Sequence, residues 1–138
     1  SAITDVTQRE VLLERLQRSE ARFSTAFNFA PLNLTISRLS DGTFLEVNRA
    51  EDRAQGMKPE ELKGRTSMEV GAWLTAEERQ RFVAQLQRDG VVNRYDTRMR
   101  HKDGSLIDAR IWAELIDING EPCILARTMN VTEEKRRE

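Results

Sequence analysis

The sequence predicts an α+β fold: a five-stranded antiparallel sheet with short helices on one face and an amphipathic helix at the N-terminus. Three observations carry this. Asp41-Gly42, Asp103-Gly104 and Asn119-Gly120 each separate two alternating or β-branched stretches, and a glycine in such a pair accepts the positive φ that a tight hairpin demands. Between the first and second of these turns lie the start and stop signals of short helices. Ahead of them all, apolar residues recur at spacings of three and four.

In chain order, Asp5 with Gln8 three residues on reads as a helix N-terminus with a capping box. From there Leu13, Leu16, Glu20, Phe23, Phe27 and Ala30 form one stripe, while Arg9, Glu14, Arg18 and Arg22 populate other faces. The helix must end before Pro31, because the residue ahead of a proline is disfavoured in helical geometry. Either the stripe packs on its own domain, or its first half pairs with a second copy in a coiled coil whose seam includes Glu20.

Leu32, Leu34 and Ile36 alternate with Asn33, Thr35 and Ser37, and Thr43 to Val47 returns after the first glycine turn. Asn48 is placed to cap a short helix, with Glu51 at its third position and Gly56 closing it. Pro59 opens another turn through Leu62, closed by Gly64. Residues 65–74, holding Met68, Val70 and Trp73, are expected to be irregular. Thr75 with Glu78 is a further capping box, starting a helix that buries Phe82, Val83 and Leu86 and stops at Asp89-Gly90.

The central hairpin has Val91, Tyr95, Thr97 and Met99 on one face of its incoming strand and Arg94, Asp96, Arg98 and Arg100 on the other. Its outgoing strand alternates Ile107, Ala109, Ile111, Ala113 and Leu115 with Asp108, Arg110, Trp112 and Glu114, a period of two with one apolar face. The Asn119-Gly120 turn leads to a last strand over 123–128. Asn130 with Glu133 then repeats the capping pattern, and the charged stretch to Glu138 is helix-prone.

Composition excludes more than it names. The chain of 138 residues is long enough for one domain with an appended helix. A net charge of −1 gives no basic nucleic-acid surface, so no nucleic-acid partner is expected. The single cysteine, Cys123, rules out an intrachain disulfide and suits a reducing, cytoplasmic setting. No apolar run approaches the roughly 20 residues needed to span a bilayer, so no direct membrane contact is expected of this stretch, whatever anchor a longer protein carries.

The two ends echo each other. Thr4-Asp5-Val6-Thr7-Gln8-Arg9 resembles Met129-Asn130-Val131-Thr132-Glu133-Glu134, one domain length away. That spacing is what a tandem array of similar modules shows, and it makes residues 1–18 a linker or signal helix following a preceding module.

The pattern resembles a PAS domain, the sensory-box kind found in tandem in bacterial signalling proteins. The resemblance covers Ser19 to Thr132 and rests on five stretches in order: Glu20, Arg22 and Phe23; Asp41 through Asn48; Glu60 through Arg65; Lys102 through Ser105; and Asn130 through Glu133. It implies a sheet curled around a small cavity roofed by short helices, with helices at both ends passing a signal to a separate output domain. Residues 19–132 are then the sensor and 133–138 the start of an exit helix, with Asn130 and Thr132 at the signal exit. Asn130 stands where the family usually has Asp, which preserves N-capping and removes a charge. The stretch Arg49 to Gln55 is more charged than the family norm, which would shrink or polarise one side of the cavity.

No catalytic constellation is legible. The only histidine, His101, abuts a hairpin turn, and nucleophilic catalysis needs a base beside its Ser, Cys or Thr. Metal binding lacks clustered ligands. Within the family, haem would require an axial histidine near residues 75–89, where none exists, and a light-sensing flavin domain would require its cysteine in the helical region ahead of that helix rather than at Cys123. Neither a cofactor nor a metal is therefore predicted.

The expected pocket is lined by Met68, Trp73, Phe82, Met99, Ala109, Ile111 and Ala113, the two alanines leaving space beside Ile111. A small-ligand pocket and a core filled by its own side chains both fit. Leu13, Leu16, Phe23, Phe27 and Trp112 are the expected helix or dimer interface, because a large aromatic among Asp108, Arg110 and Glu114 calls for a cover. The expectation is a non-catalytic sensory and dimerisation module of a sensor histidine kinase or cyclic-dinucleotide enzyme, homodimeric, with its output domain in cis and a small-molecule ligand in its core. The alternatives are a flavin- or haem-binding photo- or redox sensor and a ligand-free dimerisation scaffold.

Overall fold

The computed structural model describes residues 2–50 and 53–137. Its first helix, α1 (Ala2–Phe29), is 28 residues long, about 42 Å at 1.5 Å per residue. It is already helical at Ala2, so Asp5 lies within it rather than at its start. The helix stops ahead of Pro31. The expected capping partner Glu51 lies outside the described residues.

Strands β1 (Leu34–Arg38) and β2 (Phe44–Val47) form the first hairpin. Beyond it, Asn48 does not cap a helix: residues 48–50 and 53 are non-helical, and Ala54 and Gln55 form only a turn. The side chain of Asn48 is engaged elsewhere. Its Oδ1 accepts from Leu34 N at 2.9 Å, and its Nδ2 donates to Phe27 O at 2.9 Å and Leu32 O at 2.8 Å. Wholly buried, it ties the last turn of α1 to the sheet.

Helix α2 (Pro59–Leu62) is a single turn, and α3 (Ala76–Asp89) starts with Thr75 Oγ1 accepting from Glu78 N and ends at left-handed Gly90. Phe82 and Leu86 on α3 are buried. Three strands follow, β3 (Val91–Arg100), β4 (Leu106–Ile118) and β5 (Glu121–Asn130), then a short α4 (Thr132–Arg136). The sheet order is β2-β1-β5-β4-β3, with every pair antiparallel. Strand β5 thus pairs with both β1 and β4, and closes the two hairpins into one sheet.

The inward face of β3 differs from simple alternation. Val92 is buried and Val91 is exposed, because the register shifts between Val92 and Tyr95, with Arg94 at φ 68°. The additional residue of this bulge inverts the side-chain parity ahead of it. Tyr95 and Met99 keep their inward positions.

Residues opposite one another in an antiparallel pair share a face, which sorts the sheet. Ile111, Ala113, Ile124, Ala126, Thr128, Thr35 and Ser37 face inward, beneath α2, α3 and the loops. Leu34, Ile36, Cys123, Leu125, Arg127 and Trp112 face outward. Phe27 sits on this outer face, buried with Ile36 and Cys123 in a second, smaller apolar cluster. The apolar side of β1 therefore packs in the outer cluster that Phe27 closes, and its hydroxyls point into the core. Among the described residues no helix is long and apolar enough to cross a membrane.

Gly42 and Gly120 both have positive φ, at 76° and 83°, but their surroundings differ. A Cβ on Gly42 would lie 2.5 Å from Ser67 Oγ, whereas one on Gly120 meets open space. Urea unfolding should therefore show Gly42→Ala costing about 2 kcal/mol and Gly120→Ala about 1 kcal/mol, the difference reporting the clash alone. Equal costs would mean that the Ser67 contact contributes nothing.

Candidate functional site

Between the inner face of the sheet and the helical layer lies a cavity of about 70 Å³, room for a few water-sized groups. One wall is apolar. Trp73 and Phe82 pack with ring centroids 4.9 Å apart, backed from outside the lining by Tyr95 edge-on to Phe82 at 5.2 Å, and Met99 and Ile111 complete this side.

The other wall is polar because β1 and β5 turn Thr35, Ser37 and Thr128 inward. Two guanidiniums join them. Arg53 Nη1 donates to Asn48 O at 3.1 Å and Asn48 Oδ1 at 3.0 Å, while its Nε is buried with no partner. Arg79 Nη2 donates to Leu39 O at 2.7 Å. Burial lowers the pKa of both below the usual arginine value, with nearby Asp41 opposing the effect at Arg79. Asn33 Nδ2 donates to Thr128 O at 3.3 Å, leaving Asn33 Oδ1 buried without a partner. No Asp or Glu is among the described residues lining the cavity.

Of the residues the sequence proposed for a pocket, Trp73, Phe82, Met99 and Ile111 line this cavity. Ala109 and Ala113 are buried on the same strand without lining it, and Met68 is 40% exposed on the surface. Met68 lies in a run of turns rather than on a strand or helix, so no periodicity constrained which way it pointed. The polar wall was missed. Its signal was present in β1, whose hydroxyl-bearing face is the face that remains for the cavity once Leu34 and Ile36 are assigned to α1.

The start of α4 is held by β4. Val131 N donates to Asp108 O at 2.8 Å, and Asp108 N donates to Thr132 Oγ1 at 2.9 Å. Asn130 Oδ1 accepts from Thr132 N at 3.0 Å and from Thr132 Oγ1 at 2.6 Å, so it serves Thr132 rather than the backbone of Glu133. Lys135 Nζ reaches Asp96 on β3 at 3.3 Å, and Arg110 Nε reaches the same carboxylate at 2.8 Å. Asp108 and Ile111 are three residues apart on one strand, so cavity wall and exit helix share β4.

On the opposite face, Leu13, Leu16 and Phe23 are exposed, and Phe27 alone of the proposed interface is buried. Trp112 carries Arg127 over its ring at 4.7 Å, a cation–π contact that covers one side of it. Cys123 lies beneath Phe27 in the outer cluster, and burial pushes its thiol pKa up. His101 Nδ1 accepts from Asp103 N at 3.1 Å within the hairpin turn. Among the described residues no group of three His, Cys, Asp or Glu side chains could hold a metal ion.

Neither protein-family models nor curated protein sequences give a match to this chain. Solved structures do. The PAS domain of an HTR-like protein from Haloarcula marismortui superposes with a TM-score of 0.69 at 23% identity, covering 90% of this chain and 98% of that one. A PAS domain from a two-component sensor histidine kinase gives 0.64 at 15% identity, over 85% and 98%. The LOV protein of Rhodobacter sphaeroides gives 0.68 at 10% identity, over 88% and 72%. The chain has the PAS fold.

The Asp96 cluster makes a pH prediction. Hydrogen bonds from Arg110 and Lys135 lower its pKa from 3.8 to about 2. A carboxylate depressed on folding stabilises the native state above its unfolded pKa, and that contribution fades as pH falls through the folded one. Between about pH 4 and pH 2 the wild type should lose on the order of 1 kcal/mol more than Asp96→Asn, after allowing for solvent screening. Parallel acid profiles in denaturant melts would contradict this.

Proposed function

We propose that this chain is a non-catalytic sensory and dimerisation module of a multidomain bacterial signal-transduction protein, acting in the cytoplasm. Residues 19–132 are the sensor, 1–18 a signal helix arriving from a preceding module, and 133–138 the start of a helix leading to the output domain in cis. A histidine kinase is the output favoured by the likeness to the PAS domain of a sensor kinase; a cyclic-dinucleotide enzyme is the other. The observation that carries the reading is the double use of β4, which lines the cavity with Ile111 and grips the exit helix through Asp108. A ligand that favours one packing of Ile111 and Met99 would bias β4, and with it the angle at which α4 leaves. Its effect is limited to its differential affinity for the two packings.

Dimerisation is supported by α1. Every side chain from Val6 to Ala26 is exposed, and an isolated helix with an unburied apolar stripe is marginal in water. Leu13, Leu16 and Phe23 continue at heptad spacing to the buried Phe27. A second copy of the same helix is the partner that this stripe fits.

Two other readings bear on the core. A flavin or haem sensor is disfavoured because the cavity of about 70 Å³ is several-fold smaller than the 300–1,000 Å³ of typical ligand pockets. Cys123 also lies on the opposite face of the sheet, and α3 contains no histidine. A ligand-free scaffold is favoured by the same small volume, and native mass spectrometry of the purified chain distinguishes it by the mass retained.

Sedimentation at rising concentration tests the dimer. The wild type should sediment as a dimer, and Leu13→Glu with Leu16→Glu should convert it to a monomer with unchanged thermal unfolding of the sheet. A wild type that stays monomeric at hundreds of micromolar would remove the dimerisation part of the proposal.

A further inference from the structure

The cavity carries a guanidinium at each end of β1, and at the Arg53 end it is incompletely hydrogen-bonded. Arg53 and Arg79 line it with no carboxylate among the described lining residues. Arg53 makes no ion pair among the described residues, and its contacts are to the carbonyl and side-chain oxygens of Asn48. Burying a guanidinium in this way costs free energy that an anion would offset. Asn48 Oδ1 is shared by Arg53 Nη1 and Leu34 N, which sets Asn33, the residue directly before Leu34, near the guanidinium.

The two orphaned atoms have opposite needs. Arg53 Nε is a donor without an acceptor, and Asn33 Oδ1 is an acceptor without a donor. The Asn33 amide cannot resolve this by rotating, since its Nδ2 already donates to Thr128 O. One bridging group answers both, a single water being the smallest and a compact molecule with an acceptor beside a donor the next. A carboxylate oxygen accepts from Nε in a charge-assisted bond, and a neighbouring hydroxyl donates to Oδ1. Trp73, Phe82 and Met99 face the remaining space and suit a short carbon skeleton. The volume of about 70 Å³ limits that skeleton to a few heavy atoms.

Resting on the reading of this cavity as a ligand site, we infer that it binds a small 2-hydroxycarboxylate of the size of glycolate or lactate, held by Arg53 Nε and Asn33 Oδ1. Neutral diols and amides leave the half-buried guanidinium of Arg53 without a counter-charge. Unsubstituted short carboxylates leave Asn33 Oδ1 without a donor. Longer dicarboxylates do not fit.

The test is an NMR titration of the labelled chain with lactate, propionate and lactamide in parallel. Lactate should give saturable amide shifts confined to residues lining the cavity. Propionate should bind several-fold more weakly, and lactamide at least about tenfold more weakly, as expected when a charge-assisted bond is lost. Arg53→Gln should weaken lactate about tenfold or more while keeping a dispersed spectrum, and Arg53→Lys, which keeps the charge but not the Nε–H, should weaken it less. Lactamide binding as well as lactate, or lactate shifts mapping outside the cavity, would overturn the hydroxycarboxylate assignment and leave a ligand-sensing cavity standing. If none of the three moves a cavity amide, the pair is served by a bridging water alone and the assignment is overturned. If native mass spectrometry also finds no retained small molecule, ligand sensing fails with it.

Discussion

The fold depends on one fully buried amide. Asn48 closes β2, and its side chain uses its donors and acceptor on three separate segments: the last turn of α1 through Phe27 O, the connection after α1 through Leu32 O, and the first residue of β1 through Leu34 N. Its own backbone N–H donates to Leu34 O at 3.0 Å, and Arg53 leans on it from the cavity side. A helix leaves orphan carbonyls at its C-terminus, and here a side chain from a strand satisfies one of them. That bond fixes the direction in which α1 meets the sheet. It thereby seats Phe27 over Ile36 and Cys123.

From that attachment the two faces of the sheet acquire different roles. Because Phe27 in the last turn of α1 packs with Ile36 on the outer side of β1, the apolar residues of β1 are consumed there and its hydroxyls are left for the interior. Burying Thr35 and Ser37 beside Arg53 and Arg79 is costly in an apolar core, and a polar-walled cavity is what accommodates them. The aromatic wall opposite comes from the α3 side, where Trp73, Phe82 and Tyr95 interlock. Strand β4 then runs from this interior to the exit helix, so the regions that meet the entry helix, the cavity and the exit helix are joined through hydrogen-bonded strands.

Much of this architecture was legible in the residues. The three hairpins follow from glycine-containing turns between period-two stretches, and α3 follows from Thr75 with Glu78 and the stop at Gly90, all local rules that hold without tertiary knowledge. What was not legible is long-range. Asn48 with Glu51 satisfies the pattern of a capping box, and only the arrival of Phe27, Leu32 and Leu34 beside it gives the side chain a better set of partners. The inversion at Val91 and Val92 needs the bulge at Arg94, which sequence alternation cannot place. For the candidate site, the aromatic and aliphatic wall could be read from apolar positions. The polar wall escapes a search for apolar core positions, which passes over Thr35, Ser37 and Arg53, and its signal lies instead in the hydroxyl-bearing face of β1.

Asn48 holds the entry helix, β1 and the cavity wall in one arrangement. Urea unfolding of Asn48→Leu, branched in the same way but unable to hydrogen-bond, measures what this arrangement contributes. With a buried N–H and two carbonyls left unsatisfied, the loss should be about 3–5 kcal/mol, with amide exchange accelerated at Leu34 and in the last turn of α1. A loss under about 0.5 kcal/mol with unchanged exchange at Leu34 would contradict it.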